Sequence, residues 1–317
     1  MASVPAGARP VARVAAKALK LLPDAGAVTA FRRDRDSGQL SYLNTAPSGG
    51  KHAAHVSVDP TGRCVLVADY QGGTISTHRR EADGRVAPAN EVIHHTGHSA
   101  HPERQAAPHP HMIQCAPGGV VALVPDLGLD EVLAYRLDAA AARLQRLEGG
   151  GTRLPPGAGP RHLAFHPNGR FVYLVTELTS TLVVCALEAD GAQLRSLQTQ
   201  SLLPAGWSGE SAAAAVVVHP NGAFVYATNR GHDSVATFQI DQASGMAELL
   251  GHTSTRGNVP RDINLDPSGR FLLAANQDSD SVAVFTVDQT TGGLRAVGEP
   301  TAVPKPVRVL FPTQPRS

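Results

Sequence analysis

Residues 160–177 read PRHLAFHPNGRFVYLVTE, and this stretch decides the fold. An alternating apolar run meets HPNG, and a second β-rich run follows it. Proline at the second turn position and glycine at the fourth are typical of a type I turn, so the stretch predicts an antiparallel hairpin. The pattern occurs five times along the chain, as HVSVDPTGRCVLVADY, HMIQCAPGGVVALVPD, HLAFHPNGRFVYLVTE, AAVVVHPNGAFVYATN and INLDPSGRFLLAAN.

The repeating unit is about fifty residues long. Steps of 57, 50, 53 and 47 residues separate the turn prolines, which are Pro60, Pro117, Pro167, Pro220 and Pro267. A third apolar run, such as TLVVCALE or SVATFQI, and a weaker fourth run complete each unit. Four strands in a unit of this length are typical of a propeller blade, and the three- and four-residue spacing of helical repeats is absent. We therefore predict an all-β fold, a β-propeller of four-stranded antiparallel blades.

Both ends of the chain carry partial units, so the sequence predicts five full blades plus fragments. AVTAFRRDRDSGQLSYL, from residue 27, resembles the last two strands of a blade, and KPVRVLF, at residues 305–311, resembles a first strand. A closed propeller has no free sheet edge, because its terminal strands complete one blade together. We expect KPVRVLF to lie near the N-terminal hairpin and assign residues 27–311 to the propeller domain.

Residues 1–26 differ from the rest and are predicted to be a basic leader. No acidic residue precedes Asp24, and Arg9, Arg13, Lys17 and Lys20 would share one face of a helix. Such a segment is typical of an organelle-targeting peptide. An ordinary surface helix or a disordered leader is the alternative interpretation.

Composition narrows the classes of partner. The formal net charge is +1, without a long run of one sign, which gives no electrostatic reason to expect nucleic acid or a membrane surface. Cys64, Cys115 and Cys185 lie far apart in apolar runs, as expected in a reducing compartment. No apolar stretch reaches the roughly 20 residues of a membrane-spanning helix. We expect a cytoplasmic protein, unless the leader targets an organelle, and leave its oligomeric state open.

Equivalent positions of the repeat should form rings around the central channel, because the first strand of each propeller blade lines it. Six residues before the turn prolines stand Ala54, His111, Arg161, Ala214 and Arg261. Ten residues after them, at the same mouth, stand Tyr70, Leu127, Glu177, Arg230 and Gln277, preceded by Asp69, Asp126, Thr176, Asn229 and Asn276. Arginines with one carboxylate and one imidazole indicate an anion-binding cup with an acid or base inside. Alternatively, these residues pair with one another only to hold the blades together.

The phrases PHPHMIQ, GPRH, NRGHDS and ANQDSDS resemble the lactonase family of seven-bladed β-propellers, and the resemblance covers about residues 27–311. That family includes bacterial-type 6-phosphogluconolactonases and fungal carboxy-muconate lactonizing enzymes. The resemblance implies a seven-bladed type with an incomplete N-terminal blade, no metal and no cofactor. It places the catalytic residues on His111, Arg161, Glu177 and Arg230. We add as candidates for substrate binding His109, His162, Arg261, Asn276 and Gln277.

The resemblance implies hydrolysis of a sugar lactone, with 6-phosphoglucono-1,5-lactone of the pentose phosphate pathway as the expected substrate. Arg161 and Arg230 would hold an anionic group and stabilise the oxyanion, and His111 or Glu177 would transfer the proton. The base role favours His111, because a carboxylate among arginines has a depressed pKa. A carboxy-cis,cis-muconate cycloisomerase is one alternative. A non-catalytic propeller scaffold is another, favoured by Ala215, where the family tends to have Glu, and by the leader in place of a further blade.

Six histidines lie within residues 94–112, HHTGHSAHPERQAAPHPHM. Imidazole is a common metal ligand, and His94 and His98 have the HxxxH spacing of zinc sites. That pair stands in a loop with glycine and serine rather than on a helix. We therefore predict no metal site, but a loop covering the channel mouth in which only His111 takes part in chemistry.

Overall fold

The computed structural model describes residues 25–188 and 190–311. The leader predicted for residues 1–26 lies outside this range up to residue 24. Within the described residues the regular secondary structure is β-strand, apart from one short 3-10 helix at Gln277–Ser279. None of the helical structure there is long and apolar enough to cross a membrane.

Five antiparallel sheets follow one another along the chain, after an N-terminal hairpin of β1 (Ala27–Arg33) and β2 (Leu40–Pro47). Blade 1 consists of β3 (Ala53–Val58), β4 (Cys64–Asp69), β5 (Thr74–Arg80) and β6 (Val86–His94). Blade 2 consists of β7 (Gln114–Cys115), β8 (Val121–Asp126), β9 (Glu131–Asp138), β10 (Arg143–Arg146) and β11 (Thr152–Arg153).

Blade 3 consists of β12 (Pro160–Phe165), β13 (Phe171–Thr176), β14 (Thr181–Leu187) and β15 (Leu194–Ser201). Blade 4 consists of β16 (Ala212–Val218), β17 (Phe224–Arg230), β18 (Ser234–Ile240) and β19 (Ala247–Ser254). Blade 5 consists of β20 (Pro260–Leu265), β21 (Phe271–Asn276), β22 (Ser281–Val287), β23 (Leu294–Ala296) and β24 (Thr301–Ala302). In blades 2 and 5 the outer position is split into two short strands that both pair with the third strand. The prediction of a propeller with four-stranded antiparallel blades is confirmed.

The turn that joins the first two strands of each blade has the predicted geometry. In blade 3 the amide of Gly169 donates to the carbonyl of His166 at 2.9 Å, and Gly169 has a φ of 72°. A side chain strains the backbone in that left-handed region, which is why glycine stands at the fourth turn position. The glycines at this place in the other four blades donate the same bond, and they are Gly62, Gly119, Gly222 and Gly269.

Apolar side chains fill the junctions between neighbouring blades. In the described part of the chain, buried clusters lie between blades 1 and 2, 2 and 3, 3 and 4, and 4 and 5, and between the hairpin and blade 1. The second strands β4, β8 and β13 are buried along their whole length, since both of their faces meet a neighbouring sheet. The predominance of Val, Leu and Ala in these strands follows from this two-sided burial.

Hydrogen bonds add a directional connection across two of these junctions. The imidazoles of His166 and His219 donate through Nε2 to Gly222 and Gly269 of the following blade, at 2.9 and 3.0 Å. The hydroxyls of two buried tyrosines also donate to the following blade, Tyr173 to Gly245 and Tyr226 to Gly292, both at 2.9 Å. In blade 5 the corresponding positions hold Asp266 and Leu273, which cannot repeat these bonds.

The C-terminal fragment corrects one prediction. Residues 305–311 form no strand in the structure, although their alternating pattern is typical of one. They lie along blade 5 instead, where the Val309 amide donates to Asp262 at 2.7 Å and Asn264 donates to the Val309 carbonyl at 3.1 Å. Val307 and Arg308 line one cavity together with residues 27–29 of the hairpin, so the two ends of the domain do face each other. They do so without pairing as strands.

We expect Tyr173→Phe to lower the free energy of unfolding by about 1–2 kcal/mol, because the buried Gly245 carbonyl loses its donor while the ring stays in place. Urea unfolding at pH 7 measures this. Tyr42→Phe is the matched control, since the Tyr42 hydroxyl is exposed and its contact with Thr45 is long, at 3.4 Å. The control should change stability by less than about 0.5 kcal/mol. Equal effects of both substitutions would contradict a role for the bond between blades.

Candidate active site

A β-bulge turns one residue of the inner strand toward the channel in several blades. In blade 3, Pro160 pairs with Thr176 and His162 with Val175, so Arg161 is the extra residue between them. Blade 5 repeats this arrangement, with Arg261 as the extra residue. A bulge bends the strand and changes the direction of a side chain, which is how two adjacent inner-strand residues can both face the channel.

His111 occupies the corresponding place in blade 2 by a different backbone route. Strand β7 begins only at Gln114, but an isolated bridge joins Pro110 to Asp126. The His111 amide then donates to the carbonyl of Pro125 at 3.0 Å. These bonds hold His111 at the level of the channel mouth, although the inner strand is interrupted there.

The carboxylate of Glu177 lies in the wall of the mouth and forms ion pairs with three guanidinium groups, of which Arg161 and Arg104 also donate hydrogen bonds to it. Arg161 Nε and Arg230 Nη2 both contact Glu177 Oε2 at 2.9 Å, and Arg104 Nη2 contacts Oε1. Arg161 also donates through Nη1 to the backbone carbonyl of Ala214. The side chains of Arg161 and Glu177 are almost completely buried, whereas 40% of the Arg104 side chain is exposed.

The cluster keeps its charges at neutral pH. Burial alone would raise the pKa of Glu177, but the charges of Arg161 and Arg230 hold that pKa well below its usual range. Burial lowers the pKa of Arg161 to about 9, against the opposing effect of Glu177. Glu177 is therefore ionised and a weak base. It can hold the guanidinium groups in place.

Three imidazoles follow one another next to this cluster: His111 and His162 are buried, and His55 is half-buried. The ring centroids of His111 and His162 are 5.1 Å apart, and those of His162 and His55 are 5.9 Å apart. Burial, assisted by the charge of Arg161, lowers the pKa of both His111 and His162 well below the ordinary value. These imidazoles are neutral at pH 7. Among the described residues, Nδ1 of His111 is buried and has no hydrogen-bond partner.

Two cavities occupy the channel. The mouth cavity, of about 350 Å³, is lined by His52, Ala53, Ala54, Tyr70, Gln71, Arg104, His111, Glu177, Arg230 and Arg261. The inner cavity, of about 460 Å³, is lined by residues 27–29, 53–56, 161–162, 261–262 and 307–308 with Val67 and His111. His111 and Arg261 belong to both walls. A ligand in the mouth would therefore contact a neutral imidazole and several guanidinium groups together.

The structure brings most of the predicted site residues together, but not all of them. His111, Arg161, Glu177, Arg230, Arg261 and His162 line one or both cavities. His109 lies behind them: its ring stacks on Tyr70 at 4.5 Å and donates to the Tyr70 carbonyl at 2.9 Å. Asn276 donates to the carbonyl of Thr255 at 2.9 Å, and neither Asn276 nor Gln277 is part of either cavity wall. Asn276 and Gln277 therefore lie outside the walls of the site.

The histidine-rich stretch contributes Arg104 to the site, a residue that the repeat did not indicate. His95 is buried and donates to Asp126 at 2.6 Å, while His94 and His98 are exposed. In residues 25–188 and 190–311 no group of three or more His, Cys, Asp or Glu side chains is arranged to hold a metal ion. Arg104, from the same loop, reaches Glu177 across the mouth. It has no counterpart in the other repeats, so its position in the loop was the only signal.

A family model described as "Lactonase, 7-bladed beta-propeller" matches residues 14–311. A 6-phosphogluconolactonase of Bacillus subtilis is 36% identical over 242 residues, which cover 76% of this chain and 68% of that protein. A 6-phosphogluconolactonase of Formosa agariphila is 30% identical over 244 residues, with the same two coverages.

Solved structures agree with these relatives. A periplasmic gluconolactonase of Pseudomonas aeruginosa superposes with a TM-score of 0.86 at 35% identity, covering 92% of this chain and 81% of that one. A putative 6-phosphogluconolactonase of Bacteroides fragilis gives a TM-score of 0.83 at 32% identity, covering 89% and 79%. Both similarities extend over the blades that form the mouth.

We expect Glu177→Gln to lower the free energy of unfolding at pH 7 by about 3–5 kcal/mol, because the buried Arg161 loses its counter-charge. Glu131→Gln is the matched control, since its partner Arg153 is mostly exposed, and it should cost less than about 1 kcal/mol. Chemical denaturation measures both. The pKa of Glu177 is lower in the folded state, so its stabilising effect is complete above about pH 5 and is lost as the pH falls. A cost for Glu177→Gln no larger than that of the control would contradict this account.

Proposed function

The chain belongs to the seven-bladed β-propeller lactonase family, and we propose that it hydrolyses a sugar lactone, 6-phosphoglucono-1,5-lactone, to 6-phosphogluconate. One observation carries the proposal: a buried neutral imidazole, His111, opens into the same cavity as the guanidinium groups held by Glu177. A base beside fixed positive charge is the combination that addition of water to an ester carbonyl requires. Relatives named 6-phosphogluconolactonase support the choice of substrate.

In the proposed reaction, a water oxygen adds to the lactone carbonyl carbon while His111 takes a proton from that water. Negative charge develops on the carbonyl oxygen, and Arg230, which lines the mouth, donates to it. The bond between the carbonyl carbon and the ring oxygen then breaks. His111 returns its proton to that ring oxygen, which becomes a hydroxyl group. The second proton of the water stays on the new carboxylic acid, which ionises at neutral pH and releases it to solvent.

Arg161 and Glu177 have a positioning role in this scheme. Arg161 is bonded both to Glu177 and to the Ala214 carbonyl, so it orients the carboxylate from below. Glu177 in turn contacts Arg230 Nη2, and Arg230 also donates through Nε and Nη2 to the carbonyls of Ala212 and Ala213 at 3.2 and 3.0 Å, so Nη1 is the nitrogen that these contacts leave for the oxyanion. The donor for the oxyanion is thereby held in place before the substrate arrives, which avoids reorganisation during the reaction.

We also propose a cytoplasmic location. The three cysteines are unpaired, and burial raises the pKa of Cys64, Cys115 and Cys185 to about 11 or 12, so their thiols are unreactive. Unpaired thiols are compatible with a reducing compartment. One structural neighbour is named periplasmic, so fractionation of cells, with detection by an antibody, tests this point.

The wild-type protein should hydrolyse 6-phosphoglucono-1,5-lactone well above the spontaneous rate, and His111→Asn should lower kcat by about 10²–10⁴-fold, as expected for loss of a general base. A coupled assay of 6-phosphogluconate, corrected for spontaneous hydrolysis, measures both. His94→Asn is the control, because His94 is exposed and outside both cavity walls. Since the pKa of His111 is lowered, kcat/KM should stay constant from pH 8 to below 6.5. Turnover of a carboxy-muconate but not of the lactone would overturn the proposal.

A further inference from the structure

The channel mouth holds more positive charge than its own carboxylate can neutralise. Four arginines line or reach it, whereas Glu177 is the one carboxylate in the described wall of the mouth cavity. Arg161 is buried, and Arg230 is bonded to Glu177 and to two backbone carbonyls. Arg104 and Arg261 therefore have the most donors left for a second anionic group of a ligand whose carbonyl is held by Arg230.

Arg104 stands on a loop that is fixed to blade 2. The next residue, Gln105, is fully buried, donates to the carbonyl of Leu127 at 2.8 Å and accepts from the His101 amide at 2.9 Å. Ser99 of the same loop donates to Asp130 at 2.6 Å. The backbone that carries Arg104 is thus held in place, and only the exposed end of its side chain can move.

The guanidinium of Arg104 is only partly used. Its Nη2 contacts Glu177 and, at 3.2 Å, the hydroxyl of Tyr70. Its Nε and Nη1 make no hydrogen bond within the described residues, and neither does any side-chain donor of Arg261 in that same part of the chain. A guanidinium can bind a phosphate through two parallel hydrogen bonds, and a phosphate ester presents three acceptor oxygens. A neutral sugar lactone has only hydroxyl groups to offer these donors, and a hydroxyl group binds a guanidinium less strongly than a phosphate does.

We propose that Arg104, together with Arg261, binds the phosphate group of the substrate and so determines the preference for phosphorylated over neutral sugar lactones. Arg230 and His111 take the lactone carbonyl, and Arg104 and Arg261 take the phosphate in the same cavity. The assignment rests on the lactonase function proposed above. It gives the histidine-rich loop a purpose that the sequence did not indicate.

The test compares 6-phosphoglucono-1,5-lactone with glucono-1,5-lactone as substrates of the full-length protein. Arg104→Gln should lower kcat/KM for the phosphorylated lactone about 10- to 100-fold, mainly through KM, the effect expected for loss of a hydrogen bond to a charged group. The value for the neutral lactone should fall by a clearly smaller factor, because Arg161 and Arg230 still hold Glu177 in the variant. Arg104→Lys, which keeps the charge, should recover part of the loss. Arg153→Gln, which removes an exposed arginine outside both cavity walls, is the control.

A binding measurement separates this inference from the proposed function. Calorimetry should show that the wild type binds 6-phosphogluconate more tightly than gluconate and that Arg104→Gln loses this preference. If the wild type hydrolyses neither lactone, the proposed function fails, while the two binding constants still decide the role of Arg104. Equal losses for both lactones would mean that Arg104 acts through Glu177, and this overturns the inference. An unchanged preference in Arg104→Gln overturns it too.

Discussion

The carboxylate of Glu177, bonded to three arginines, is the interaction on which the organisation of the mouth depends. Arg161 comes from the same blade, Arg230 from the next blade, and Arg104 from the loop between blades 1 and 2. One buried anion therefore joins parts of the chain that are distant in sequence. Because an uncompensated buried charge is costly, Arg161 and Glu177 depend on each other, whereas Arg104 is partly exposed to solvent. The same constraint that assembles the mouth holds the positive groups ready for a ligand.

The channel has a charged outer level and a neutral inner level. The outer level carries fixed guanidinium groups, and the level below it holds imidazoles that burial keeps unprotonated. The outer level affects the inner one, since the positive charge of Arg161 also disfavours protonation of the histidines. A base that stays neutral next to a cation can accept a proton only when negative charge appears nearby. The developing charge of a lactone adduct supplies that condition.

The repeat in the sequence was enough to predict the blades, the turns and most of the mouth. Counting from the turn prolines placed His111, Arg161, Glu177 and Arg230 at one opening. In the structure His111, Glu177 and Arg230 line the mouth cavity, and Arg161 lines the inner cavity and contacts Glu177. The counting works because the blades share the same turn, and because the inner strands of blades 1, 3, 4 and 5 carry a register shift before it, while the isolated bridge of Pro110 holds His111 at the same level in blade 2. One further position along, it would also have found His55 beside His162.

What the sequence could not show lies where the repeat has no equivalents. Arg104 stands on an interblade loop, whose path is set by the buried Gln105 rather than by any periodic pattern. Residues 305–311 have the alternating pattern of a strand, but a strand also needs a neighbour with free backbone groups. Here the side chains of Asp262 and Asn264, rather than a neighbouring backbone, bind the amide and the carbonyl of Val309. Asn276 belongs to a ring by position but points to the backbone of the preceding outer loop.

The bonds from His166, His219, Tyr173 and Tyr226 all run forward, from one blade to the next. Blades 3, 4 and 5 thus form a tied series, in which each member holds the one that follows, and blade 5 makes no such bond onward. In a repeat protein, local opening is governed by the contacts that a unit has with its neighbours. Slow amide exchange should therefore be concentrated around blade 4, which accepts hydrogen bonds from blade 3 and donates hydrogen bonds to blade 5. Opening fluctuations should begin at the seam between blade 5 and the N-terminal hairpin, one blade away from the arginine that blade 4 contributes to the charged cluster.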